Sequence, residues 1–372
     1  MTDHQGKKDR HVVAVMCLRN EGAFLLDWLA HHKAVGISHL VALSNDCLDG
    51  TDEMLDRLEA LGHVTHIRND GPYDRGGIQF TGLRLADESE AVREADWLLS
   101  MDIDEYVNIH VGGRRIHDLL GALPDADAIT LTWRMFGNAG VVRYEDRPVT
   151  GQFTRAAPEV IYGPWRAAMF KTLYRNDGRD GALGVHRPRE AADQTRWFDG
   201  SGRALGAGFG SRRVYSDYGQ PLYGLAQMNH YALGAMESYL LKADRGRVNV
   251  RQTAPLGLDY WALRNFCDVE ERSVLALPGV AEIRAELAQD AVLANLHERA
   301  VTWRRARFEE LMLQEKYRIL FTGLLMSGPS RALTEPAGRF LTAFAREQEA
   351  RKEGKSGYTR STRKAGAGIQ VR

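Results

Sequence analysis

At 372 residues the chain exceeds one average domain, so it has the length to bury a sizeable core and carry an appended subdomain. Its 49 basic and 49 acidic residues cancel, which argues against a dedicated nucleic-acid binder. Cys17, Cys47 and Cys267 are odd in number and dispersed, fitting neither a disulfide framework nor a zinc motif; the expectation is a reduced, cytosolic chain.

No apolar run reaches the roughly 18 residues a spanning helix needs, the nearest being Ile319 to Met326, and Met1 to His11 is polar and unlike a signal peptide. Val12 to Leu18 is a near-continuous apolar run, as expected for a strand covered on both faces, and it ends in the polar turn Arg19-Asn20-Glu21-Gly22. Phe24, Leu25, Trp28, Leu29 and His32 follow at helical spacing up to the glycine stop at Gly36. His39 to Leu43 reads as a second strand, Asp49 to Asp52 opens a helix with Met54, Leu55, Leu58 and Leu61 in one stripe, and His63 to Ile67 reads as a third strand. A third helix is predicted from Gln79 to Glu94, and a fourth strand, Ala95 to Met101, leads into Asp102-Ile103-Asp104-Glu105. Strand and helix alternating in this way imply parallel pairing, with ligands gathering beyond the carboxyl ends of the strands. Arg19-Asn20-Glu21, Ser44-Asn45-Asp46, Arg68-Asn69-Asp70 and Asp102 to Glu105 then share one rim. Asp102 and Asp104 are two apart, so both emerge on one face if the strand continues, a spacing that suits a hard divalent cation.

Farther along, Ala128 to Trp133, Ala168 to Tyr174 and Leu225 to Tyr231 are strand candidates, and the glycine-rich stretch Gly200 to Gly210 reads as an acceptor-side loop. A helix is expected over Met236–Arg245, and two more over Ala281 to Ala300 and Trp303 to Leu320, the last crowded by Arg304, Arg305 and Arg307. Residues 351–372 hold Arg351, Lys352, Lys355, Arg360, Arg363, Lys364 and Arg372 against Glu353, a basic tail expected to be disordered. Neither a G-x-G-x-x-G fingerprint nor a Walker-type loop occurs, which disfavours dinucleotide and P-loop enzymes.

Val13-Ala14-Val15 through Asn20-Glu21, then Asn45-Asp46-Cys47-Leu48-Asp49-Gly50-Thr51, then Asp102-Ile103-Asp104 resemble the nucleotide-sugar-binding half of family 2 glycosyltransferases. Trp28 with His31-His32, Trp133-Arg134-Met135-Phe136-Gly137, Gly184-Val185-His186-Arg187-Pro188 and Asn229-His230-Tyr231 resemble, more narrowly, the bacterial branch related to family 92 glycosyltransferases. The resemblance covers roughly residues 11–250, and the order of its motifs is more specific than any one of them. It implies an α/β GT-A fold, a Rossmann-like and mostly parallel sheet, to which the helical spacing of the last third adds a helical appendage over 251–350. It also implies a nucleoside-diphosphate sugar donor, a UDP-sugar above all, Mn²⁺ or Mg²⁺, transfer with inversion, and a polysaccharide or glycoconjugate acceptor. Such a chain has no transmembrane segment, and peripheral association with the inner face of a membrane is compatible with it.

A leaving sugar diphosphate concentrates negative charge, which a cation held between carboxylates and phosphate oxygens neutralises. Asp104 is the preferred direct ligand, Asp102 reaches ribose or a metal-bound water, and His230 is a candidate third ligand. Asn45 and Asp46 suit the nucleobase or ribose, with Asn20 on the same rim. Arg19 or Arg84 meets the diphosphate or forms a surface ion pair, and Glu21 orients the nucleoside or caps the following helix. His186 contacts phosphate or acceptor; His31 and His32 are read as packing or helix-capping groups. The catalytic base is left open among downstream carboxylates, with Glu105, Glu190 and Asp259 as the leading candidates. The competing classes are a metal-dependent nucleotidyltransferase or phosphohydrolase, and an inactive carbohydrate-binding protein of the same fold.

Overall fold

The computed structural model describes residues 10–73, 76–246, 256–344 and 347. Strand β1 (Val12–Leu18) is apolar throughout because both its faces are covered: Val12, Ala14, Met16 and Leu18 enter one core, Val13 and Val15 the other. Helix α1 (Gly22–Val35) follows and stops at Gly36, whose φ of 105° places it in the left-handed region that glycine adopts without strain. Strand β2 (His39–Ser44), helix α2 (Thr51–Ala60) and strand β3 (Val64–Arg68) continue the alternation. The third helix is not continuous. Helices α3 (Ile78–Asp87) and α4 (Glu90–Arg93) flank Ser89, whose hydroxyl accepts from Val92 N and donates to Ala86 O, capping a new helix where the apolar spacing alone suggested one. Strand β4 (Trp97–Met101) completes this half. β1 pairs in parallel with β2 and β4, and β2 with β3, so the carboxyl ends of all four strands share one rim as expected.

Strand β5 (Glu105–Ile109), helix α5 (Ile116–Ala122), strand β6 (Ala128–Met135), helix α6 (Val149–Gln152) and strand β7 (Arg155–Ala156) come next. Strand β8 (Phe170–Arg175) inserts antiparallel between β4 and β6, and β9 (Trp197–Asp199) and β10 (Ala204–Leu205) extend the sheet beyond β6. The glycine-rich stretch Gly200 to Gly210 therefore carries the edge strand β10 and enters helix α7 (Gly208–Ser211), at the opposite end of the sheet from β3. Strand β11 (Ala226–His230) pairs antiparallel with β5 and parallel with β6, and helix α8 (Met236–Arg245) follows where the sequence placed it.

Helix α9 (Leu258–Ala262) and strand β12 (Val269–Glu270), which pairs with β7, lead to α10 (Val280–Leu287), α11 (Ala291–Met312) and α12 (Glu315–Met326). The last helices break elsewhere than expected. Asp290 accepts from Leu293 N and opens α11, which runs without interruption past Val301, a residue buried at the position read as a linker. These helices are wall as much as appendage. α10 and α11 cover the outer side of α1, and α11 and α12 bury Tyr239, Leu240 and Leu241 of α8. The approach is close: a Cβ on Gly22 would lie 2.9 Å from Ala300 Cβ and 3.1 Å from Met54 Sδ. The basic tail 351–372 and Arg247 lie outside the described residues.

Candidate functional site

The loops leaving β1 and β2 are tied to each other before they can hold anything else. Asp49 accepts from Gly22 N through Oδ2, and from Thr51 N and Oγ1 through Oδ1; Thr51 Oγ1 in turn accepts from Glu21 N. Within this frame Asn20 and Asp46 adopt φ of 55° and 45°, a left-handed conformation that short polar side chains tolerate and that clusters at functional sites. Asp46 is exposed on the rim, while Asn20 Oδ1 accepts from Leu48 N. Three buried polar atoms beside them, Arg19 Nε, Asn45 Oδ1 and Asn69 Oδ1, have no hydrogen-bond partner among the described residues. Buried polar atoms are nearly always satisfied, so three unpaired ones along one rim mark a surface built to meet a polar ligand. Arg84 is not among them, because it pairs with Glu88 on the face of α3.

After β4 the chain turns at Ile103-Asp104 instead of continuing extended, and the two aspartates part company. Asp102 Oδ2 accepts from Lys171 Nζ at 3.0 Å, whereas Asp104 Oδ2 accepts from Lys242 Nζ at 2.6 Å and its Oδ1 lies 3.6 Å from His230 Nε2. The expectation of two carboxylates on one face is thus corrected. Its premise was a strand that continues, and β5 starts afresh at Glu105 because its partner is β11. Burial works against the charge on Asp104, but Lys242 and His230 beside it hold the carboxyl well below the usual carboxylate range. His230 is itself pushed down by burial, against the pull of Asp104, and its Nδ1 is buried without a partner among the described residues.

Glu105 is fully buried, accepting from Trp133 Nε1 at 2.7 Å and from Asp102 N at 2.8 Å, with Lys171 Nζ 3.5 Å away. Burial pushes its carboxyl up to about 8 against the opposing pull of Lys171. With both oxygens engaged inside the protein it holds the turn and presents no open surface, which counts against the role of base expected of it. The other two base candidates fare no better: Glu190 and Asp259 are exposed, the first on the loop after β8 and the second on α9, and no contact joins either to the aspartates. Lys171 was not singled out from the sequence. A lysine inside the apolar strand Ala168 to Tyr174 was the available signal, since a fully buried ammonium needs a carboxylate partner.

Supporting groups close around this centre. Trp28 Nε1 donates to Glu105 O, His31 Nε2 donates to Val107 O, and His32 donates through Nδ1 to Trp28 O while its Nε2 accepts from Val107 N. The packing role expected of His31 and His32 is what the structure shows. His186 donates through Nδ1 to Phe170 O, with its ring 5.7 Å from that of Trp133, and burial together with nearby Lys171 pushes its imidazole down to about 4. Glu21 stands at the N-cap position of α1 but makes no capping bond. Its carboxylate pairs with Arg245 of α8, and burial raises it despite that partner.

Among the described residues no three His, Cys, Asp or Glu side chains come together as a metal-binding set. Asp104 and His230 form a pair, and Asp102, claimed by Lys171, does not join it. Cations that act on phosphates are held through one or two carboxylates and complete their shell with water and phosphate oxygens; here Asp104 is the carboxylate beside His230, and its other oxygen is paired with Lys242.

No family model matches the chain. A glycosyltransferase family 92 protein of Oryza sativa subsp. japonica is 24% identical over 164 residues, which is 42% of this chain and 27% of the relative, so the chain spans about a quarter of the length of the curated relative it matches. Among solved structures, S. aureus TarS 1-349 overlaps at 15% identity and a TM-score of 0.28, covering 45% of this chain and 47% of that one. Glucosyl-3-phosphoglycerate synthase from Mycobacterium tuberculosis, in complex with Mg²⁺ and UDP, overlaps at 18% identity and a TM-score of 0.23, covering 33% and 44%. Overlaps that small leave the architecture to be read from this chain's own strand order, a mostly parallel α/β sheet with C-terminal helices. The similarity in sequence is to a glycosyltransferase, in agreement with the resemblance carried by the motifs.

Proposed function

We propose that the protein is a glycosyltransferase that takes its sugar from a nucleoside diphosphate, a UDP-sugar, bound on the rim of β1 to β4. The observation that carries this reading is the convergence of Arg19, Asn45, Asn69 and Asp102 at the carboxyl ends of four parallel strands, three of them with unpartnered buried polar atoms. Asp46 accepts hydrogen bonds from the base or ribose, Asp102 from the ribose, and Arg19 meets the diphosphate. Asp104 and His230 would hold Mn²⁺ or Mg²⁺, which when bound supplies positive charge against the departing diphosphate. Lys171 and Lys242 hold the two aspartates in place, and Lys242 keeps Asp104 ionised.

In the transfer the bond from the anomeric carbon to the phosphate oxygen breaks with the electron pair leaving on the diphosphate. An acceptor hydroxyl attacks from the opposite face, with inversion, and gives its proton to a carboxylate. Glu21 and Asp244 border the cavity beside Asp104, but Arg245 and Arg307 hold them, so no single carboxylate is assigned that proton.

The test is thermal melting with UDP, with Mn²⁺ and with both, followed by a screen of nucleotide sugars for turnover that requires a sugar acceptor. Stabilisation greatest with the pair, lost in Asp104→Asn, is expected. Failure of every nucleoside diphosphate to move the melting temperature refutes the reading, and acceptor-independent breakdown of nucleotide favours the phosphohydrolase.

A further inference from the structure

A cavity of about 80 Å³, several times the room one buried water needs, lies on the far side of Asp104 from β4, walled by the start of α1, by β5, by α8 and by α11. Its lining is mixed. Phe24, Phe153, Leu233 and Trp303 supply apolar surface, and Lys242, Arg245, Arg304 and Arg307 bring four cations against the three carboxylates of Glu21, Asp104 and Asp244. Three of those cations are matched: Lys242 with Asp104, Arg245 with Glu21, Arg307 with Asp244.

Arg304 alone of the four has no carboxylate partner among the described residues. It is 7% exposed and lies over the rings of Phe24 and Tyr144, at 4.5 and 5.2 Å from their centroids, with one long bond of 3.5 Å from Nη2 to Ser238 O. Its leading counter-charge is Glu21, which is already paired with Arg245, and burial outweighs that attraction and lowers the affinity of the guanidinium for its proton. Four buried polar atoms of cavity-lining residues are also unpartnered: Arg304 Nε, Arg245 Nε, Tyr144 Oη and Tyr106 Oη, the last on a residue 2% exposed. A lining that mixes aromatic rings, tyrosine hydroxyls and an arginine free of a contact ion pair suits a ligand with hydroxyls and one negative group.

We propose that this cavity is the acceptor subsite and that the acceptor is an anionic sugar, its carboxylate or phosphate paired with Arg304 and its hydroxyls met by Tyr106 and Tyr144. The assignment rests on the transferase reading above and extends it to the class of acceptor. The C-terminal helix α11, read from the sequence as an appendage, contributes the residue that selects the substrate.

The experiment measures binding of glucuronate, glucose 6-phosphate, glucose and inorganic phosphate to the full chain by calorimetry and thermal shift, each with and without UDP. Either anionic sugar is expected to bind about tenfold or more tightly than glucose, the usual weight of charge-assisted hydrogen bonds. Arg304→Met is expected to bring that affinity down to the level of glucose while its UDP response persists. Equal binding of neutral and anionic sugars to the wild type overturns the proposal, as does an anion preference that survives in Arg304→Met. Inorganic phosphate that binds as well as glucose 6-phosphate also overturns it, making the cavity an oxyanion site and not a sugar site. Should Arg304→Met fail to fold, Tyr144→Phe serves: weaker sugar binding with an unchanged UDP response supports the subsite, and unchanged sugar binding counts against it. A wild type that answers the anionic sugars but not UDP refutes the donor site and leaves the cavity assignment standing.

Discussion

Replacing Lys171 with methionine keeps the length and most of the volume of the side chain while removing the charge that Asp102 and Glu105 share. Lys171 is fully buried and reaches Asp102 at 3.0 Å and Glu105 at 3.5 Å. Glu105 is fully buried as well, so an ionised carboxylate there would lose its nearest cation with no water to replace it. Breaking a buried pair from one side costs about 3–5 kcal/mol, against a total stability of about 5–15 kcal/mol for a typical domain. The half-exposed Asp102 adds little, being open to solvent screening. The assay is urea unfolding of wild type and Lys171→Met at pH 5 and pH 9.5. Glu105 already has its carboxyl raised to about 8, and loss of the lysine drives it higher, so it is neutral in both proteins at pH 5 and the two part above about pH 8, where the wild-type carboxylate ionises against Lys171 and that of the variant stays protonated. The expected loss is therefore larger at pH 9.5 than at pH 5, and Glu105→Gln added to the variant recovers part of it. A loss below about 1 kcal/mol, the range of an exposed ion pair, or one that is equal at both pH values and untouched by Glu105→Gln, would show that the lysine does not neutralise this site.

Stability should rise between pH 4 and about pH 6.5, the ordinary value for histidine: burial pushes His31 down to about 4 against a bond to the Val107 carbonyl, so the unfolded chain binds a proton there that the folded chain does not. The displacement is worth about 3 kcal/mol, present above pH 6.5 and lost as pH falls toward 4; denaturation midpoints across that range should show it, and His31→Gln should flatten the slope. Asp290→Ala removes both the cap of α11 and the partner of Arg57, and should lower the midpoint of equilibrium unfolding without changing UDP binding. Trp28→Phe keeps the ring but leaves the buried Glu105 carbonyl without its donor, for an expected loss of about 1–3 kcal/mol by the same measurement.

The parallel half of the fold is legible in the sequence because each of its signals is local. β1 is a run of apolar residues, α1 ends at a glycine, and the polar turns Arg19 to Glu21 and Ser44 to Asp46 need only the alternation to be placed on one rim. The site beyond β4 was misjudged because the path after Asp102 is set by pairing with β11, more than a hundred residues downstream, and no short pattern announces it. Lys171 stands 69 residues from the aspartate it meets, and Lys242 stands 138 from Asp104. Their partners are properties of the folded chain. Glu105 shows the opposite error, since adjacency to Asp104 in sequence suggested adjacency to substrate, while the turn at Ile103 sends its carboxylate inward to Trp133. Arg304 was noticed as one of three crowded arginines, and only the position of α11 distinguishes it from Arg305 and Arg307.

Helix α1 is buried on nearly every side, by the sheet within and by α10 and α11 without, and its sequence is accordingly apolar around most of its circumference. A ribosome delivers it long before its outer cover. Roughly 250 residues separate the two in the chain, which at about 5–20 residues per second leaves an oily helix waiting some 15–50 s for the segment that hides it. During that interval the nascent polypeptide depends on chaperone binding or on slow collapse of the early sheet. A message truncated before Val280 would yield a product with that surface permanently bare, marked for aggregation or proteolysis whatever the state of its strands.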